Sequence, residues 1–223
     1  MRNFDDIFEL AANRKGGSRE LEKLLGKPKS TARLRKIPDD RWLSAIVRSV
    51  FQAGFVWRIV EHKWPDFEDI FCNFDLHHVA YLADESIESL LEETRIIRHR
   101  TKLLATRDNA AFLLDLASEH GSAANYFANY PATEYVELLL DLKKRGSRLG
   151  GTSAQYFLRT MGKESFILSR DVVRALMREK IVDRAPNSQR DLRATQDAFN
   201  IWCAQGKRSL TEVSRILAMG IES

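Results

Sequence analysis

A glycine-rich segment between two predicted helices has residue types that could bind phosphate. Leu142–Leu158 reads LKKRGSRLGGTSAQYFL, so a basic helix end leads through three glycines to Thr152 and Ser153. Glycine permits positive φ and close backbone approach, and the free N–H groups at a helix start attract anions. The pattern is typical of a helical hairpin that grips a DNA phosphate without reading sequence. An ordinary glycine-containing turn is the alternative.

A second basic segment precedes a long predicted helix. Glu92–Leu104 reads EETRIIRHRTKLL, with arginines around an apolar Ile96–Ile97 pair. Arginine is well suited to phosphate contact, although a solvated helix face would explain the same pattern. The DNA contacts predicted in these two segments are Arg98, His99, Arg100, Lys102, Lys144, Arg148, Gly150, Gly151, Thr152 and Ser153.

An aromatic segment surrounds a predicted break between helices. Val50–Trp57 reads VFQAGFVW. A base extruded from a duplex needs aromatic faces for stacking and polar groups that hydrogen-bond its edge. Aromatic residues at a helix junction are also common in a hydrophobic core, so the segment allows both interpretations.

The elements that must position these segments are predicted to be helices throughout. Apolar residues recur at spacings of three and four, and strand-like alternation is scarce. A helix after Pro38 should bury the stripe formed by Leu43, Ile46, Val47, Val50 and Phe51. The next helix should end before Trp64–Pro65, and residues 125–131 should form an aromatic-rich loop. The later helices are expected near 152–161, 170–180, 189–204 and 210–218, with a capping box from Ser209 to Glu212.

Composition excludes several protein classes. The 223 residues carry 35 Lys and Arg against 31 Asp and Glu, a mild positive charge that permits nucleic-acid binding. The apolar stretches are too short for a bilayer, and the acidic N-terminus is unlike a signal peptide. We therefore expect a cytoplasmic protein. Cys72 and Cys203 are expected to be buried, reduced thiols.

Taken in order, the segments FQAGFVW, NFDLHHVAYLADESIESLLEETRIIRHRTKL and KKRGSRLGGTSAQYF resemble the DNA-3-methyladenine glycosylase I family. This family belongs to the helix-hairpin-helix glycosylases, and the resemblance covers roughly Pro38–Arg174. Its most specific motif is RIIRHRTK followed by Asn109. The resemblance implies an all-α fold and hydrolysis of the N-glycosidic bond of 3-methyladenine during base excision repair.

The resemblance also implies an organisation and a partner. Two helical lobes should flank a cleft, one built from residues 1–75 and 168–223 and the other from 76–167. The hairpin should span about 139–162. The expected partner is double-stranded DNA containing alkylated bases, bound by a monomer with no cofactor and no membrane contact.

This chain departs from the family pattern at the site. Ser49 stands where well-established members have a glutamate that contacts the damaged base, and the predicted base pocket comprises Ser49, Phe51, Gln52, Phe55 and Trp57. The family's zinc ligands are missing: the late His and Cys positions correspond roughly to Asp171 and Ala175, so no metal is predicted. The family's N-terminal aromatic wall must either come from elsewhere, with Phe4, Phe8 and Trp42 as candidates, or be lost.

The resemblance leaves the catalytic group open. Related enzymes acting on uncharged bases use an aspartate after the second hairpin helix, and Asp171 is the candidate here unless it only caps the following helix. Bifunctional relatives have a lysine where this chain has Thr152 or Ser153, so the enzyme should be monofunctional. A DNA-binding relative without activity, or a helical scaffold for a protein partner, are the alternatives.

Overall fold

The computed structural model describes Met1–Glu222, and this range consists of helices and their connections without any strand. The all-α prediction is therefore confirmed. The α-helices are α1 (Phe4–Arg14), α2 (Ser18–Leu24), α3 (Thr31–Arg35), α4 (Asp39–Gln52), α5 (Trp57–Ile70), α6 (Leu76–Ala80), α7 (Asp84–Leu90), α8 (Arg100–His120), α9 (Ala123–Asn129), α10 (Tyr135–Arg145), α11 (Thr152–Met161), α12 (Arg170–Arg178), α13 (Gln189–Gly206) and α14 (Leu210–Met219). Short 3₁₀ turns occur at Cys72–Phe74 and Ala132–Glu134.

The chain forms two compact units, of which the first contains residues 1–29, 131–138 and 162–222. Its core includes Phe166, whose ring stacks on Phe199 at 4.4 Å between centroids and meets Tyr135 edge-on at 4.8 Å. Helix α14 begins with the predicted capping box: the Ser209 hydroxyl and the Glu212 carboxylate each accept from the other's backbone N–H.

The second unit contains residues 30–130 and 139–161. Helix α4 packs against both α8 and α11 in this unit. Because these partners bury the apolar stripe of α4, residues 30–75 group with the central segment and not, as predicted, with the chain ends. The stripe itself is confirmed, since its five members are at most 2% exposed.

Helix α5 continues through a proline, so the prediction that it ends before Trp64–Pro65 is wrong. Pro65 removes one backbone donor from the helix. Its neighbours Trp64 and Phe67 are buried, with stacked rings 5.1 Å apart. The Trp64 indole N–H also lies 3.0 Å from a Glu68 carboxylate oxygen one turn later. Burial of these aromatic rings offsets the lost hydrogen bond.

The predicted loop at 125–131 is instead largely helical, because α9 covers most of it. The Ser122 hydroxyl caps α9 by accepting from the Asn125 N–H. The Asp39 carboxylate accepts from the N–H groups of Ala123 and Ala124, both at 2.9 Å. A distant acid therefore completes this helix start, and local sequence patterns do not reveal it.

The cysteines differ in environment. Cys203 is half-buried and burial raises the pKa of its thiol to about 12. Cys72 is exposed, so its predicted burial is wrong. It follows α5 in a short turn of left-handed backbone, φ 49°, which keeps its side chain outside the core. Over the described residues, no helix is long and apolar enough to cross a membrane.

Candidate base and DNA site

A cavity of about 210 Å³ opens in the second unit where α4 ends and α5 and α11 begin. The turn from α4 to α5 passes through Gly54, whose φ of +81° is in the left-handed region that favours glycine. The lining residues are Ser49, Gln52, Ala53, Gly54, Trp57, Thr152, Ser153 and Tyr156. The site therefore combines part of the aromatic segment with the start of the helix after the glycine-rich turn.

Two aromatic side chains line this cavity. Trp57 is 49% exposed, which is inconsistent with a core position. Its ring meets that of Tyr156 edge-to-face, with centroids 5.2 Å apart. Tyr156 was not among the predicted site residues, although it lies one turn after the predicted Thr152–Ser153 contacts. These rings can offer stacking and edge contacts to a planar base.

Ser49 closes the inner side of the cavity. Its side chain is buried, and its hydroxyl donates to the Ser153 carbonyl oxygen at 2.6 Å. This hydrogen bond ties α4 to the start of α11. No Asp, Glu, Lys, Arg or His is among the residues that line the cavity. The described lining therefore offers a bound base polar and aromatic groups but no carboxylate, ammonium, guanidinium or imidazole.

The other predicted pocket aromatics lie elsewhere. Phe51 is fully buried and packs edge-on against Phe67 at 4.8 Å, so its assignment to the pocket is wrong. It belongs to the α4 apolar stripe, which faces the core. Phe55 is 37% exposed beside His99, but it is not among the residues lining the cavity. The remaining members of the predicted set, Ser49, Gln52 and Trp57, are brought together.

Lys102 supports the turn after α4. It is only 3% exposed, and its ammonium donates to the backbone carbonyls of Phe51 at 3.2 Å and Ala53 at 2.5 Å. The ammonium also lies 4.4 Å from the Phe55 ring centroid. Burial, together with the charge of Arg148, lowers the pKa of Lys102 to about 8. Its predicted contact with DNA phosphate is therefore wrong, because its donors face protein carbonyls.

Asn109 supports the turn between α10 and α11. This fully buried amide donates to the Ser147 carbonyl and accepts from the Ser147 N–H, both at 2.9 Å. Gly146 lies in the same turn, where a Cβ would come within 2.9 Å of the Leu142 carbonyl oxygen. Lys102 and Asn109 both belong to α8, so this one helix fixes the turns on either side of the cavity.

The predicted DNA contacts around the hairpin are accessible to different degrees. Arg98, Lys144, Arg148, Gly151 and Thr152 are exposed, whereas His99, Gly150 and Ser153 are half-buried. Arg100 is exposed but forms an ion pair with Glu88 at 2.7 Å, which a phosphate would have to replace.

Gly151 gives the turn its open face. Its φ is +62°, and a Cβ placed there would meet no atom within 4 Å. The glycine is therefore required by backbone conformation and not by crowding within the protein. The open space leaves the N–H groups at the start of α11 accessible to an anion.

Asp171 lies in the first unit, in the first turn of α12. The interpretation that it caps this helix is wrong, because the Ser169 hydroxyl is the cap and accepts from the Val172 N–H. The Asp171 side chain is half-buried, and its carboxylate lies 4.0 Å from the Arg174 guanidinium.

The candidates for an aromatic wall are mostly core residues. Trp42 is fully buried in the second unit and stacks on Phe127 at 4.5 Å, so it cannot form a pocket wall. Phe4 is buried in the first unit. Phe8 belongs to the same unit and is half-buried near Arg208. In the second unit, Tyr156 provides the aromatic partner for Trp57.

Within residues 1–222, no three or more His, Cys, Asp or Glu side chains lie close enough together to hold a metal ion.

Known proteins share this architecture. The methyladenine glycosylase family model matches residues 35–165, more than half of the chain. DNA-3-methyladenine glycosylase 1 of Escherichia coli (strain K12) is 30% identical over 130 residues, which cover 50% of this chain and 70% of that protein.

Solved structures with the same fold include a variant of 3-methyladenine DNA glycosylase I in complex with 3-methyladenine. It has a TM-score of 0.53 and 21% identity, covering 62% of this chain and 81% of that one. The 3-methyladenine DNA glycosylase I of Staphylococcus aureus has a TM-score of 0.51 and 21% identity, covering 62% and 80%. The matched region contains both the cavity and the turn between α10 and α11, and the chain belongs to the methyladenine glycosylase family.

Proposed function

We propose that this protein is a monofunctional DNA glycosylase that hydrolyses the N-glycosidic bond of 3-methyladenine in double-stranded DNA. Membership of the methyladenine glycosylase family supports the reaction. The observation that carries the assignment of the site is the cavity between the turn from α4 to α5 and the start of α11, with Trp57 and Tyr156 on its wall.

The chemistry of the lesion explains why a cavity lined by polar and aromatic groups suffices. An adenine alkylated at N3 is cationic and leaves readily, so the protein must extrude, stack and orient it. As the bond between the base and C1′ breaks, its electron pair neutralises the base, and water adds its oxygen to C1′ and loses a proton. Cation–π contact with Trp57 contributes about 0.5 to 2 kcal/mol, which favours a charged base over a neutral one.

The turn from α10 to α11 is proposed to act as a helix-hairpin-helix that holds the DNA backbone. Exposed Lys144 and Arg148 and the free N–H groups after Gly151 provide the cationic and dipolar groups that a phosphate needs. Arg98, His99 and Arg100 precede or begin α8, and they extend this proposed surface.

The proposed enzyme releases the base and does not cleave the DNA strand. By the family resemblance, Thr152 or Ser153 stands where bifunctional relatives have a lysine, and neither can form an imine with the abasic sugar. By the family resemblance alone, Asp171 remains the candidate for stabilising the developing sugar cation. Action as a monomer in the cytoplasm is also part of this proposal.

Incubation with methylated duplex DNA tests the proposal. Chromatography of the released bases should identify 3-methyladenine, and the DNA strand should stay intact until alkali cleaves the abasic sites. Strand cleavage before alkali treatment would overturn the monofunctional assignment. Duplex binding without any released base would instead support a non-catalytic relative of the glycosylases.

A further inference from the structure

Glu61 does not line the cavity, but its carboxylate determines how the side-chain amide of Gln52, which does line it, is oriented. Gln52 lines the cavity, and its side-chain NH2 group donates to a Glu61 carboxylate oxygen at 2.8 Å. Glu61 is on α5, one turn after Trp57. An ionised carboxylate only accepts hydrogen bonds. The Gln52 amide must therefore turn its NH2 group towards Glu61, which leaves its carbonyl oxygen for another partner.

The charge of Glu61 is balanced within the protein. Arg48 lies 3.4 Å from the second Glu61 oxygen, and its guanidinium packs over the Trp64 ring at 4.5 Å. Arg48 and Gln52 are one turn apart on α4, so Glu61 joins two successive turns of that helix. Since Arg48 balances the negative charge, the main effect of Glu61 on the cavity is the orientation of the amide.

We infer that Glu61 is a positioning residue that presents the Gln52 carbonyl oxygen to the extruded base and thereby selects adenine-type bases. This inference rests on the proposed function. Adenine carries an amino group at C6, which donates, whereas guanine carries an oxygen there, which only accepts. The Gln52 oxygen can accept from the adenine amino group and repels the guanine oxygen. Glu61 and Gln52 thus provide an acceptor in a cavity where Ser49 replaces the family glutamate.

The test compares two bases with the same charge. Methylated DNA contains 3-methyladenine and 3-methylguanine, which are both cationic before release, so their ratio of release rates reports discrimination and not charge recognition. Glu61→Gln preserves the shape of the side chain, which can still form a hydrogen bond with Gln52. Because glutamine both donates and accepts, it can pair with either orientation of the Gln52 amide. We expect the ratio to fall by between about 2-fold and 12-fold, the range that corresponds to one ordinary hydrogen bond.

A double-mutant cycle separates positioning from general structural damage. Gln52→Met removes the amide, and in that background Glu61→Gln should leave the ratio unchanged, because Glu61 acts through Gln52. Glu119→Gln is the matched control: Glu119 has the same exposure as Glu61, 48% against 47%, and it pairs with Arg145 at 2.7 Å without lining the cavity. This control should keep the wild-type ratio.

The possible outcomes separate failure of the Glu61 inference from failure of the proposed function. An unchanged ratio in a folded, active Glu61→Gln variant would overturn the inference and leave the proposed function intact. A further change of the ratio by Glu61→Gln in the Gln52→Met background would also overturn it, because Glu61 would then act by another route. If the wild-type protein releases neither base, the proposed function fails, and this inference fails with it.

Discussion

Trp57 offers the clearest test of the cavity at the scale of single residues. Because half of its side chain is exposed, Trp57→Ala should change Tm little. Base–aromatic stacking contributes roughly 1 to 3 kcal/mol, so the rate of 3-methyladenine release should fall about tenfold or more. Duplex affinity should stay nearly constant because phosphate contacts dominate it.

Thermal melting, duplex titration and base release on this one variant provide the measurement. Tyr81→Ala is a suitable control, since Tyr81 is a 79% exposed aromatic residue of the same unit that does not line the cavity. A large loss of Tm with a parallel decline of affinity and activity would show that Trp57 is structural.

Ser49 leads to a prediction about charge recognition. The hydroxyl donates to the Ser153 carbonyl oxygen at the start of α11. A carboxylate at position 49 cannot make this hydrogen bond, so it should turn into the cavity, where it would attract a cationic base. Ser49→Glu should therefore increase the preference for cationic 3-methyladenine over the neutral base hypoxanthine. An interaction on the order of 1 kcal/mol corresponds to roughly a fivefold change in the ratio of release rates. An unchanged ratio in the folded variant would contradict an assignment of Ser49 to the base site.

The sequence predicted some site residues and not others for physical reasons. Ser49 and Gln52 are three residues apart on α4 and line the same cavity. Phe51 falls on the stripe with Val47, so the same periodicity that predicted α4 also indicated a core position for Phe51. Tyr156 was missed because it reaches the cavity from a helix about a hundred residues later, and local patterns do not show such contacts.

At the scale of elements, α8 positions both turns that border the cavity, and this dependence should be visible in the effect of pH. The pKa of Lys102 is about 8 in the folded protein, below its ordinary value of 10.5. Between these values the unfolded chain binds more protons than the folded one, so Lys102 makes the free energy of unfolding increase with pH.

Lys102→Met removes this contribution. The difference in Tm between wild type and variant should therefore shift in favour of the wild type as pH rises from about 8 towards 10. Melting curves of the two proteins across this range provide the measurement. A difference that is constant with pH would show that the Lys102 pKa is not lowered on folding.

The hairpin leads to a prediction about DNA affinity. Gly151 has φ +62° and open space around its Cβ position. Gly151→Val should strain the turn and obstruct a phosphate, weakening binding of all duplexes about equally and independently of sequence. Gly121→Val is a matched control, because Gly121 also has positive φ, +79°, but it ends α8 and does not belong to the turn from α10 to α11.

Binding titrations at several salt concentrations test this prediction. The affinity of the wild type should decrease steeply with salt because phosphate contacts release counterions. Equal losses of affinity in both glycine variants would indicate general destabilisation, and unchanged affinity of the Gly151 variant would exclude the turn as a DNA contact.

Helix boundaries were predictable where capping residues are local. The sequence predicted α11 at 152–161 and the capping box of α14, and both match the structure. It failed at Pro65, where tertiary burial of Trp64 and Phe67 outweighs a local helix breaker. It also failed at α9, whose first N–H groups are satisfied by Asp39 from another helix.

At the scale of the whole molecule, the fold class and the family could be predicted because three separated segments share one order along the chain. The grouping of residues into compact units could not, since it depends on which helices cover α4. The central claim is that the cavity between the end of α4 and the start of α11 receives the extruded base.

The most direct measurement is a crystal structure of the protein with 3-methyladenine bound. The account predicts that the base lies in the cavity in contact with Trp57 and Tyr156, with its amino group within hydrogen-bond distance of the Gln52 side-chain oxygen. A base bound elsewhere while the cavity stays empty would contradict the central claim. A base bound in the cavity with its amino group facing away from Gln52 would contradict the role inferred for Gln52 and Glu61.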